Sequence, residues 1–161
     1  MHFPIIRIST EKISPEDWDI NLPYDDSTLN YWTDYTGDVY TKEGRDYVLN
    51  SEWFKAFWEG LGDYDAKKGE VKLYTAERIK NTILIWLKDE AQTILKGFDD
   101  PSTTPFWRHS FAMRMASYEY KNLSTIFVID GYAQKSMDFV EDLIYHAGKT
   151  LYIENIFDAH V

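Results

Sequence analysis

With 161 residues, 44% of them hydrophobic and 27% charged, the chain is long enough to bury a core and too apolar for intrinsic disorder. It has no cysteine, which excludes disulfides, a thiol nucleophile and thiolate metal sites. Its net charge of −10 would repel nucleic acid and anionic lipid, and its longest apolar run, residues 83–87, is far too short to span a bilayer.

The chain opens on FPIIRI, residues 3–8, which predicts a buried strand. Ser14 followed by Pro15 reads as the N-cap and first position of a brief helix, and residues 19–28 as an acidic loop. Residues 31–47, YWTDYTGDVYTKEGRDY, alternate imperfectly. Thr36-Gly37 and Glu43-Gly44 mark turns, so the expectation is a small antiparallel meander ending in DYVL. Asn50 or Ser51 then caps a helix over residues 52–61 with a face of Trp53, Phe54, Phe57, Trp58 and Leu61. Residues 62–70 read as a polar loop and VKLY as a short strand.

The clearest element is a core helix over residues 76–96, capped by Thr75 and closed by Gly97, with a stripe of Ile79, Ile83, Leu87, Ala91, Ile94 and Leu95 widened by Leu84 and Trp86. A further helix is predicted from Thr104 to about Tyr120, apolar on two faces. The sequences STIFVID, KSMDFVEDLIYHAG and KTLYIENI give strand, helix and strand, a parallel βαβ unit. The fold class expected is α+β or α/β: one domain over residues 1–161, a mixed sheet with an N-terminal antiparallel meander, about four helices and a C-terminal βαβ unit. Without a basic leader or cleavage site, the expected compartment is cytoplasmic.

Candidate chemistry is sparse. Asp130 ends a predicted strand, where α/β sheets place ligands, and an acid there could hold a metal or act as a base; Asp130-Gly131 also reads as a plain turn into the next helix. Arg108, His109 and Arg114 lie where positive charge meets aromatics, as a phosphate site would require. However, Arg108 and Arg114 point about 120° apart on an ideal helix, and His109 shares a face with Ala112, Met113 and Ala116, as a core histidine would. His146 near a helix end is accounted for by the helix dipole. The four histidines form no HxH or HxxxH pair, so neither a metal nor a cofactor is expected. The G-x-G of GLGDYDAKKG follows a helix, and DYDAKKGEVKLY puts Lys67, Lys68 and Tyr74 where a calcium loop needs a ligand, a glycine and a glutamate.

The charge distribution says more. Residues 1–70 carry 15 acids and 7 bases, whereas residues 71–161 carry 12 and 10. From Glu11 to Asp38 eight acids face only Lys12. Unpaired carboxylates must look outward, so Asp25, Asp26, Asp34 and Asp38 are expected to surround exposed tyrosines such as Tyr35 and Tyr40. The cluster Asp63-Tyr64-Asp65 is expected to extend that surface. Such a pattern suits an acidic binding module for a basic protein, a toxin or nucleic-acid-binding protein, in the manner of immunity proteins or nucleic-acid mimics. It also leaves room for an α/β enzyme on a phosphorylated or nucleotide substrate, with Asp130, Arg108 and His109 around one pocket. A structural homo-oligomer using its aromatic surface fits the composition too. Direct nucleic-acid or membrane binding is not expected.

Overall fold

The computed structural model describes residues 2–19, 35–99 and 125–160. These form an α+β fold in which all four described helices lie over one face of a seven-stranded mixed sheet. In chain order the elements are β1 (His2–Ser9), a 3-10 turn (Pro15–Asp17), β2 (Tyr35–Val39), α1 (Lys42–Asn50), α2 (Glu52–Trp58), β3 (Gly62–Asp65), β4 (Glu70–Leu73), α3 (Ala76–Asp99), β5 (Ile126–Ile129), β6 (Tyr132–Lys135), α4 (Ser136–Asp142) and β7 (Thr150–His160).

The strand order is β3-β4-β7-β1-β5-β6, with β2 also paired to β7. β1 runs parallel to β5 and antiparallel to β7. At eleven residues, β7 is the spine. It pairs β1 along one edge. On the other edge β4 takes its first half (Lys72 opposite Thr150) and β2 its second (Tyr35 opposite His160).

Strand alternation sends Ile6, Ile8, Phe127, Ile129, Leu151 and Ile153 to the helical face, where they meet Phe54, Phe57 and Trp58 of α2, Ile79 and Ile83 of α3 and Phe139 of α4. Phe127, Phe57 and Phe139 form a three-ring cluster, with the Phe57 and Phe139 centroids 5.0 and 4.1 Å from that of Phe127 and 6.3 Å from each other, tying α2, β5 and α4 together. On the opposite face Ile5, Ile126, Val128, Phe157 and Ala159 form a second, smaller cluster. Both faces of β5 are therefore buried, which explains its uninterrupted apolar run.

The expected α+β class, mixed sheet and helix number are those observed, while several elements differ. Of the predicted meander, the described residues 35–47 hold a single strand, β2, with Thr36 and Gly37 inside it rather than in a turn. DYVL is helical because Thr41, an N-cap, accepts from the Gly44 amide at 3.2 Å and opens α1, and a helix so started continues through Val48 and Leu49 into the core. Residues 15–17 make only a 3-10 turn, as Ser14 gives its hydroxyl to Glu16 instead of capping. The polar loop at 62–70 is a hairpin, β3 against β4.

α3 packs through Ile79, Ile83 and Trp86, but Leu84, Leu87, Ala91 and Leu95 are exposed. A 24-residue helix is about 36 Å long and outruns strands of four residues. It also continues through Gly97 to Asp99. The predicted helix over 104–120 lies outside the described residues.

The C-terminal unit is a strand–helix–strand crossover, but its first strand is β6. Asp130 and Gly131, with φ of 49° and 87°, form a two-residue hairpin turn between Ile129 and Tyr132. That turn reverses the chain before α4, so the helix joins β6 to β7, and the predicted first strand, β5, runs antiparallel to β7.

Candidate functional site

The most elaborate polar arrangement among the described residues sits where β7 bulges. Ile6 pairs with Ile156 and Ile8 with Ile153, so Arg7 alone faces both Glu154 and Asn155. The bulge also falls in the gap between β4 and β2 on the other edge of β7, where carbonyls would lack ladder partners. Arg45, projecting from α1, fills that gap: Nε donates to the Glu154 carbonyl at 2.7 Å and Nη2 to that of Ile153. The Ile153 amide donates to the Gly69 carbonyl, and the Tyr40 amide to the Ile156 carbonyl. Gly69 has a φ of +66°, and a Cβ there would stand 2.7 Å from Arg45 Nη2. A side chain at that position would push the guanidinium out of the gap.

On the β1 side, Arg7 bridges two carboxylates: Nε is 3.2 Å from Glu154 and Nη1 is 3.3 Å from Asp19. Glu154 is only 3% exposed. Burial pushes its carboxyl above the ordinary range, against the opposing pull of Arg7. Asn155 Nδ2 donates to the Asp19 carbonyl at 3.1 Å. The Arg45 guanidinium lies 4.7 Å from the centre of the Trp18 ring, while the Trp18 indole donates to the Ile13 carbonyl. Two arginines and one asparagine thus hold residues 18 and 19 against the bulge. None of Arg7, Arg45, Glu154 and Asn155 was legible as a candidate beforehand. With residues 18 and 19 they come from four separate stretches of chain, which no spacing connects.

The sequence-predicted residues fare unevenly. Asp25, Asp26, Asp34, Arg108 and His109 lie outside the described residues. Tyr35 and Asp38 belong to β2, which pairs with the second half of β7. Tyr40 is half-buried against the core, and burial, followed by the nearby Asp158, raises its pKa. Each member of the Asp63-Tyr64-Asp65 cluster is engaged by the fold around it. Tyr74 donates its hydroxyl to Asp63, Tyr64 donates to the Leu49 carbonyl at 2.8 Å, and Asp65 accepts from the Lys67 and Lys68 amides. Burial pushes the Tyr64 hydroxyl far above its usual pKa.

Asp130 occupies the hairpin turn, where its carboxylate accepts from Thr10 at 3.3 Å. The turn leads into β6 rather than directly into a helix. His146 lies 3.7 Å from Asp142, and among the described residues no group of three or more acids and histidines is placed to hold a metal. None of the described helices is long and apolar enough to cross a membrane.

One exposed aromatic-acid group was hidden by the misread strand. On α1, Tyr47 is 78% exposed and stands one turn after Glu43 and next to Asp46, both exposed. Elsewhere, an open depression of about 320 Å³ runs along the start of α3, lined by Thr75, Arg78, Asn81, Thr82 and Ile85 with Glu77 beside them. Arg78 stacks on Tyr74 at its rim, 3.5 Å from the ring centre. The chain matches no protein-family model, no curated protein and no solved structure.

Proposed function

We propose that the chain is an acidic protein-binding module that neutralises or scaffolds a basic partner, in the manner of an immunity protein or a nucleic-acid mimic. The observation that carries this reading is the concentration of charge: eight acids against one base from Glu11 to Asp38. A local field of that size accelerates encounter with a cationic surface and makes binding sensitive to salt. Support comes from α1, which follows this stretch almost at once and exposes Tyr47 beside Glu43 and Asp46. A rigid aromatic ring rimmed by carboxylates suits contact with lysine and arginine side chains through both charge and ring face. The Asp63-Tyr64-Asp65 hairpin adds charge to the surroundings but no free tyrosine hydroxyl. The enzyme reading draws no support from Asp130, which is engaged in a turn.

The experiment is a pull-down from native lysate at low and high salt, with neighbouring gene products co-expressed. The wild type is compared with a variant carrying Asp25→Asn, Asp26→Asn, Asp34→Asn and Asp38→Asn. A stoichiometric basic partner, lost at high salt and lost from the variant, is the expected result. Retention of the partner by the variant would overturn the reading.

A further inference from the structure

One described arginine is satisfied by neither a carboxylate nor a carbonyl. Arg7 bridges Glu154 and Asp19, and Arg45 donates to two carbonyls of β7. Arg78 instead lies on the Tyr74 ring, its guanidinium carbon 3.5 Å from the ring centre, and no carboxylate is at ion-pair distance from it among the described residues. Stacking uses the face of a guanidinium and leaves the N–H groups along its edge for a planar acceptor. Tyr74 is itself held, since its hydroxyl donates to Asp63 at 2.5 Å. Asp63, Tyr74 and Arg78 in series thus fix a charge that a free side chain would sweep through solvent.

Arg78 lines the depression of about 320 Å³ along the start of α3. That depression has a firm wall. Thr82 donates to the Gly60 carbonyl at 2.9 Å, and a Cβ at Gly60 would stand 2.8 Å from the Thr82 methyl, so the turn after α2 is seated against α3 without slack. The remaining lining supplies Asn81, whose amide has no partner among the described residues, and Ile85, 58% exposed. Seven residues separate Ile85 from Arg78, which puts both on one helix face about 10 Å apart. Glu77 also borders the space, so a second negative charge on a ligand would meet repulsion at close range.

We propose that this depression binds a small monocarboxylate carrying an apolar group. Arg78 takes the carboxylate through its two-pronged edge, Asn81 donates to it, and Ile85 packs on the apolar end. Tyr74 is a positioning residue that acts through Arg78. The site is separate from the acidic surface, and either can fail without the other.

The test is a titration of the full chain with hydrocinnamate, and with its uncharged primary amide, at about 0.1 M salt. Nitrogen–proton NMR spectra report the amides of residues 75–85 and the Arg78 side chain. Because the net charge of −10 repels anions in general, a saturable response localises a site. Hydrocinnamate should shift these residues with a dissociation constant on the order of 1 mM, and the amide should bind about tenfold more weakly. Arg78→Gln should cost about tenfold and Arg78→Lys about threefold, because lysine keeps the charge without the fork. Shifts that do not saturate by about 20 mM overturn the site, as does equal binding of acid and amide or an Arg78→Gln variant that binds like the wild type. Tighter binding of inorganic phosphate at the same residues overturns the monocarboxylate assignment. Tyr74→Phe keeps the ring under the guanidinium and should weaken binding less than Tyr74→Leu; equal affinity of Tyr74→Leu and wild type overturns the positioning role.

Discussion

Two short stretches of this chain have nearly the same composition and tyrosines of opposite availability. In the β3–β4 hairpin, Asp63, Tyr64 and Asp65 are bound within the fold: Tyr64 to the Leu49 carbonyl, Asp63 to the Tyr74 hydroxyl, Asp65 to two turn amides. On α1, Glu43, Asp46 and Tyr47 occupy the outer side of a helix whose inner side carries Arg45, Val48 and Leu49. The difference is geometric. A hairpin beside a core helix turns alternate residues inward, whereas a helix with one buried face leaves the rest of its turn to solvent. A run of acids and tyrosines is therefore not a recognition surface until the backbone period is known.

The largest effect separating the two stretches should come from truncating their tyrosines. Tyr64 packs edge-on against Phe54, with centroids 5.4 Å apart, and Tyr64→Ala should cost about 3 kcal/mol in urea unfolding. A loss below 1 kcal/mol would mean that the hairpin is not committed to the core. Gly69→Ala comes next. It forces a strained backbone and displaces Arg45 from the β7 gap, for an expected loss of about 2 kcal/mol. A neutral outcome in thermal unfolding would refute the tight contact between hairpin and α1.

Tyr64→Phe removes one hydrogen bond and should cost about 1 kcal/mol at neutral pH. It also changes the alkaline limb. Because burial raises the folded pKa of Tyr64 above its unfolded value near 10, its contribution is complete below pH 10 and is lost as pH rises beyond it. The Phe variant should therefore show a shallower decline above pH 10, and parallel curves would count against that origin. The smallest structural effect belongs to Tyr47→Ala, expected within about 0.5 kcal/mol of the wild type. The same change should weaken capture of a basic partner while Asp63→Asn leaves it intact. The reverse pattern in a salt-titrated binding assay would exchange the roles of the two stretches.

Much of the fold is written in local patterns. PIIRI and IFVI are strands because their β-branched residues and Phe127 fill a sheet buried on both faces, and α3 begins where Thr75, accepting from the Arg78 amide, places it. Errors arose where a local signal had two valid continuations. Glu43-Gly44 fits a turn or the first turn of a helix, and Thr41 decides for the helix only by accepting the Gly44 amide. Asp130-Gly131 was legible as a turn, but the strand it creates, β6, has four residues of weak pattern and exists because β5 offers it an open edge.

What the sequence determined by itself is the alternation of strands and amphipathic helices, the aromatic-rich core and the excess of acid before residue 40. Each depends on residue type and period within a single stretch. Only the tertiary structure decided that β7 would carry β1 on one edge and both β4 and β2 on the other. It alone decided that the resulting gap would be filled by Arg45, and that Arg7, Glu154 and Asn155 would meet residue 19 at one bulge. The contacts of Arg45 with residues 153 and 154, of Arg7 with Glu154 and of Asn155 with Asp19 join residues more than a hundred positions apart, and their energies exist only once the strands have been brought together.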